Sequence, residues 1–168
     1  MKHVAAAQVA AIALCGLIAA AAPAAAQNMG QIGRVRAGAG CPGCNLFQAD
    51  LANREIKGRS FAGARLRQAD LSATVMNATS FAHADLRDVN AYGAVFTGAS
   101  FAGADLTNAG MVGTYLQGAD LRGARLSGAN FSGAEMDLAR GLTQAQLSGA
   151  CGDEATRLPR GLHLAPCR

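Results

Sequence analysis

The sequence predicts an all-β solenoid whose chain turns once every five residues. Three observations predict it. Steps of five from Leu46 to Met136 give 19 positions, and 18 hold a large apolar residue, with only Ala91 falling short. With roughly a third of residues large and apolar, chance gives this on the order of once in 10^7 to 10^8 tries. The residue two before each centre is small, most often Ala, as at Ala49, Ala64, Ala69, Ala84, Ala94 and Ala104. The residue two after is commonly Gly, as at Gly58, Gly63, Gly93, Gly98 and Gly103. A period of five smears apolar residues around a helix, which advances about 100° per residue. On a straight strand it alternates between faces. All centres point inward only if the chain turns in every unit, and fixed-period self-similarity of this kind marks a solenoid.

The chain has 168 residues, enough for one domain. Residues 1–26 read as a signal peptide: a basic Met1-Lys2-His3, an apolar run from Val9 to Ala22, and an A-x-A site before Gln27. The alternatives are a retained membrane anchor, for which the run is short, and a lipoprotein anchor at Cys15, where Leu14 stands in place of a small residue. The expected location is periplasmic or secreted, with no membrane span after cleavage. The chain from Gln27 carries 14 basic and 11 acidic residues. So mild an excess does not suggest nucleic acid. An acidic DNA mimic would need a large negative excess.

Residues 27–43 form a Gly-rich lead-in and cap, read as a flexible linker. Gly38-Ala39-Gly40-Cys41-Pro42-Gly43 fits G-x-G-x-x-G in form, but no helix follows to meet a phosphate.

Residues 44–138 are the repeat itself. Positions i and i−2 share a side in an extended segment, so the small residue and the large one both face inward. The residue between them is often polar and faces water: Asp50, Asp70, Asp85, Asp105, Asp120, Asn130. Arg54 and Arg59 depart from the small-residue rule. Glycine suits the corner.

Ala49-Asp50-Leu51, Ala69-Asp70-Leu71, Ala84-Asp85-Leu86, Ala104-Asp105-Leu106 and Ala119-Asp120-Leu121 together resemble the pentapeptide-repeat family. The resemblance implies a right-handed quadrilateral β-helix with four pentapeptides per coil. Every fourth centre should then stack, in columns Leu46, Leu66, Leu86, Leu106, Leu126 and Phe61, Phe81, Phe101, Leu121. The other two are Ile56, Met76, Phe96, Leu116, Met136 and Leu51, Leu71, Ala91, Met111, Phe131. Like stacks on like in the first two. The lumen is filled by side chains and holds no ligand.

Residues 139–168 read as a C-terminal cap, since a solenoid needs both ends closed. Thr143 to Ala150 is expected to form a short helix with Thr143 as N-cap and Leu142, Leu147 and Ala150 packing down. The chain from Gln27 holds four cysteines, and an even count in an exported protein argues for disulfides. Cys151 with Cys167 would close a loop over the last coil. Cys41 and Cys44 read as a structural disulfide or buried thiols. A thiol-redox pair would need a helix to follow, and a four-cysteine zinc site would need the two pairs at one end. The tail also resembles tails of exported bacterial pentapeptide-repeat proteins.

No catalytic, cofactor or metal site is expected. His83 sits at an outward corner and His163 in the tail. Ser60, Ser80 and Ser100 form a column beside the Phe ladder, with no base paired to them. Arg65, Asp85, Asp105 and Arg125, with Arg87 beside them, read as a solvated charge ladder of weak ion pairs. One feature departs from a plain wall. Val75, Val95 and Tyr115, with Tyr92 and Val112 around the corner, should all be exposed. Residues 89–119 carry a single charge, at Asp105. Exposed contiguous apolar area marks an interaction site, so these five are the candidate partner-binding patch. The expectation is a non-enzymatic exported scaffold whose partner is an unknown protein, an envelope component or a second copy of the chain in a homodimer. The competing class is an envelope enzyme using Cys41 and Cys44. The family also contains DNA-mimicking gyrase protectors, a role that charge and compartment disfavour.

Overall fold

All but three of the 19 pentads, those centred on Leu51, Ile56 and Met76, close on themselves through one hydrogen bond. The N–H three residues after the centre donates to the centre's carbonyl, as from Ala49 to Leu46 and from Ala84 to Phe81, both at 3.0 Å. At every centre from Leu46 to Phe131 the residue two after it is left-handed, with φ 67° at Gly98 and 54° at Ala78. This is the position where a turn favours glycine. The acidic and amide residues just before the centres have a second task that their polarity alone does not reveal. The Oδ1 atoms of Asp70, Asp105 and Asn130 accept the N–H two residues on, at 2.9, 3.0 and 2.9 Å. They pin the corner as well as facing water.

The computed structural model describes residues 27–168; the expected signal peptide lies outside the described residues. Successive coils join by parallel bridges at a spacing of 20 residues. The N–H of Leu66 reaches forward to Asp85 at 2.7 Å, and that of Asp85 reaches back to Ala64 at 2.9 Å. Four ladders result, one per wall. They run Asn45–Arg65–Asp85–Asp105–Arg125, Asp50–Asp70–Asn90–Gly110–Asn130, Glu55–Val75–Val95–Tyr115–Glu135 and Ser60–Ser80–Ser100–Asp120–Arg140. Each rung is one residue wide, because the chain bends again after two or three extended residues. Among the described residues, two-residue strands form only in the C-terminal cap.

The inward residues fill the lumen. All 19 centres from Leu46 to Met136, Ala91 included, are at most 2% exposed. Phe81 stacks between Phe61 and Phe101, with centroids 5.6 and 5.2 Å away, and Phe96 meets Phe81 and Phe101 edge-on. Where Thr replaces the inward Ala, its hydroxyl donates to a backbone carbonyl. Thr74 bonds Leu71, Thr79 bonds Ile56 and Thr114 bonds Met111. Arg54 and Arg59 are exposed, since the first coil has no coil before it.

The lead-in is a helix rather than a linker. Helix α1 (Met29–Arg36) is N-capped by Asn28 and buries Ile32 and Val35 on the open end of the tower. Its side chains replace the missing coil. Gln31 accepts the N–H of Asn45 at 2.7 Å, and Arg36 donates to the carbonyl of Asp50 at 2.8 Å. Past the helix, the Cys41 N–H bonds the Ser60 carbonyl at 2.8 Å. Gly40 crosses so close to Ser60 that a Cβ there would lie 3.0 Å from that carbonyl.

At the other end, α2 (Gln144–Leu147) is a single turn with a complete Thr143/Gln146 capping box. It covers the last rung of the Arg125 wall, and Gln146 donates to the carbonyls of Leu121 and Ala124 at 2.9 Å each. Leu147 and Ala150 are buried, and Leu142 packs against the core. Strand β1 (Cys151–Gly152) then adds a rung to Asn130, and β2 (Ala165–Pro166) pairs parallel with β1. The outermost strand holds Pro166, which has no N–H to offer a further strand. The Cys151–Cys167 disulfide ties it down.

Candidate functional site

The wall that carries the candidate patch is built by the third ladder. Val75, Val95 and Tyr115 occupy consecutive rungs, their N–H groups bonded to the carbonyls of Arg54, Thr74 and Ala94 at 2.8, 2.8 and 3.0 Å. Tyr92 and Val112 sit one above the other on the adjoining corner, where Gly93 donates to the Val112 carbonyl at 2.9 Å. All five expected residues therefore lie on one wall and its edge.

Their exposure is unequal, which corrects the expectation that all five are exposed. Tyr92 is 64% exposed and Tyr115 44%, while Val75, Val95 and Val112 are half-buried. The coils stack about 4.8 Å apart, so each short valine is shielded by the rungs on both sides. The longer phenol rings rise clear of them. The surface is two tyrosines standing on a valine floor, and Tyr92 stays outside despite the small Ala91 next to it.

The Tyr92–Val112 corner continues to Ser132, whose carbonyl accepts the Gly113 N–H at 2.8 Å. Ser132 lines a cavity of about 450 Å³ with Gly152, Asp153, Glu154, Leu164, Pro166 and Cys167. Sequence reasoning missed this cavity. Its walls come from a tail that leaves the five-residue period, with Asn130 pairing 21 residues on at Cys151 and Glu135 pairing 22 on at Arg157. Asp153 braces it, accepting the Gly133 N–H at 2.8 Å and the Thr156 hydroxyl at 3.0 Å. Those bonds, the Gly133 one foremost, hold its carboxyl below the usual value.

The charge ladder forms on the first wall. Arg87 grips Asp85 through two bonds of 2.7 Å, and lies 3.9 Å from Asp105, as does Arg125. Ser60, Ser80 and Ser100 stack as expected, and His83 is an exposed corner residue with φ 56°. Cys41 and Cys44 are disulfide-bonded and buried, at 3% and 7% exposure, beneath α1. The helix precedes this pair rather than following it, so no helix N-terminus faces either sulfur. Among the described residues no group of three His, Cys, Asp or Glu is placed to hold a metal. No helix among them is long and apolar enough to cross a membrane.

Comparison with known proteins follows the same lines. The pentapeptide-repeat model matches residues 60–90, 75–111 and 109–140, in 8 copies. No curated protein matches the sequence. Among solved structures, the chain is similar to a pentapeptide repeat protein of the Arabidopsis thaliana thylakoid lumen, at 26% identity and a TM-score of 0.33. That match covers 60% of this chain and 66% of that one, just under two thirds of its length. A pentapeptide repeat protein of the cyanobacterium Cyanothece is 23% identical with a TM-score of 0.37, covering 77% and 98% of the two chains. One from Nostoc is 23% identical with a TM-score of 0.39, covering 82% and 88%. Residues 60–140 are thus a run of pentapeptide repeats, and the match supports the pentapeptide-repeat family for the region that forms the tower.

Proposed function

We propose that this chain is an exported, non-enzymatic scaffold that binds a protein partner through the wall formed by Val75, Val95 and Tyr115 and the corner formed by Tyr92 and Val112. The observation that carries the reading is the placement of Tyr92 and Tyr115. They are two of the four exposed large apolar side chains among the described residues, and they stand together where the wall carries almost no charge. Tyrosine is favoured at interfaces because it offers a large rigid face and a polar tip. The half-buried valines supply a flat floor fixed by the ladder. The cavity beside Ser132 lies on the same corner and gives a partner side chain a place to insert. Export is supported by the basic start, apolar run and A-x-A site of residues 1–26, and by two disulfides. Pentapeptide-repeat proteins are in general non-enzymatic scaffolds or binding proteins, which agrees with a lumen packed shut.

The test is a double substitution. Val95→Asp with Tyr115→Asp should leave the circular dichroism spectrum intact and abolish binding of the protein retained from an envelope extract, or self-association in light scattering. Retention of both associations by the folded variant refutes the patch.

A further inference from the structure

The third wall is complementary to itself. Its ladder runs Glu55–Val75–Val95–Tyr115–Glu135–Arg157, with rungs about 4.8 Å apart. The corner column beside it stacks Tyr92 next to Val112, one coil apart. Tall and short residues follow opposite orders in the two columns. On the ladder the half-buried Val95 precedes the exposed Tyr115, and on the corner the exposed Tyr92 precedes the half-buried Val112. A two-fold axis that crosses the wall between the Val95 and Tyr115 rungs lays a second copy on it face to face. Such an axis keeps each column opposite itself and reverses the order of its rungs. Each Tyr115 then lands on Val95 of the other copy, and each Tyr92 on the other copy's Val112. At both ends Glu55 meets Arg157. Both are exposed, and among the described residues no carboxylate lies within ion-pair distance of Arg157. Val75 with Glu135 is the one rung pair that gains nothing.

We propose that this wall pairs with the same wall of a second copy, the two towers lying side by side and antiparallel. The proposal rests on the reading of the wall as a protein-binding face and names the partner. The residues fix the register. Moving the axis half a rung to Val95 sets Tyr92 on Tyr92, and moving it half a rung the other way sets Tyr115 on Tyr115. Parallel towers bring Glu55 onto Glu55 and Arg157 onto Arg157, where like charges repel. A partner of another sequence does not require the wall to match itself in both size and charge. A closed two-fold dimer does, because its two patches are the same patch. One wall of a tower is a small face, so the association is weak and depends on concentration.

The test is sedimentation equilibrium on the protein expressed from its full sequence, from about 1 µM to about 1 mM. Wild type should pass from monomer to dimer within that range. Glu55→Arg sets arginine against Arg157 at both ends, and Arg157→Glu sets glutamate against Glu55. Each should weaken the dimer about tenfold at low salt, and the loss should shrink at about 1 M salt, where the Debye length is about 3 Å. Both positions are exposed, so both variants fold. An equal mixture of the two variants should regain the wild-type affinity as a mixed dimer, since each end then pairs an arginine with a glutamate. No change within one chain produces that rescue. The proposal is overturned if wild type stays monomeric at about 1 mM, if either reversal leaves the dimer unchanged, or if the mixture associates no better than the variants alone. The wider reading is judged separately. If wild type is monomeric while Val95→Asp with Tyr115→Asp still abolishes retention of a protein from the envelope extract, the partner is another protein and only the self-pairing falls. If that retention survives as well, both fall.

Discussion

Arg87 holds both oxygens of Asp85, the residue two before it, through bonds of 2.7 Å from Nε and Nη2. The Asp85 side chain is only 25% exposed, and the bonds from Arg87 hold its carboxyl below its ordinary value of 3.8, with burial opposing them. Asp120 repeats the arrangement with Arg122, and its carboxyl is lowered for the same first reason. A carboxyl with a depressed folded value stabilises the fold fully above its unfolded value, and that contribution fades as pH falls through the folded one. The Tm should therefore stay level from neutral pH down to about 5 and drop below about 4. Asp85→Asn should lower the neutral Tm by the equivalent of about 0.5–1 kcal/mol and make the acid drop shallower. A Tm that rises on acidification, or an unchanged acid drop in the variant, contradicts this account.

Phe81 is the middle of a three-ring stack and also meets Phe96 edge-on. It is fully buried. Phe81→Ala should cost about 3–5 kcal/mol in denaturant unfolding, near the upper end because stacked coils leave the neighbours little room to collapse. Phe81→Leu should cost less, since Leu already occupies the same column at Leu121. In a solenoid each coil is stabilised mainly by its neighbours. Hydrogen exchange in Phe81→Ala should therefore quicken first in the coils carrying Phe61 and Phe101.

The repeat was legible because it is periodic. Centres, inward Ala residues and the 20-residue columns all follow from counting, and the bridges Arg65↔Asp85 and Val75↔Val95 realise them. Helix α1 was not legible. Gly30 and Gly33 disfavour a helix, and only Ile32 and Val35 supply its apolar face. The end of the tower stabilises it, through contacts distant in sequence. The tail escaped detail for the opposite reason, since its one- and two-residue insertions erase the period at Cys151 and Arg157. For the patch, the columns of Tyr92 and Val95 could be read but their exposures could not. Exposure depends on how far a side chain reaches beyond the rungs beside it.

Cys151 and Cys167 lie 16 residues apart and join the two outermost strands of the cap. Breaking this bond with Cys151→Ser and Cys167→Ser frees a loop whose closure is worth about 3 kcal/mol. The loss should be local. Protease should cut first between Asp153 and Leu164, while exchange in the central coils stays slow. Loss of the Cys41–Cys44 bond should cost less, because a loop closed across three residues restricts the unfolded chain less.

Ala73 and Ala78 stand where most turns carry glycine, with φ 52° and 54°. An L-residue in the left-handed region costs about 1–2 kcal/mol. Glycine avoids that cost but gives back roughly 0.5–1 kcal/mol by loosening the unfolded chain. Relief exceeds loss, so Ala78→Gly should raise stability slightly, by about 0.5 kcal/mol. The reverse change at a turn with open space separates backbone strain from crowding. A Cβ on Gly98 would meet nothing within 4 Å, yet φ there is 67°. Gly98→Ala should therefore lower stability by about 0.5–1 kcal/mol with no clash involved. Opposite signs for the two substitutions in denaturant midpoints would place the glycine preference of this repeat in backbone conformation; equal signs would remove that explanation.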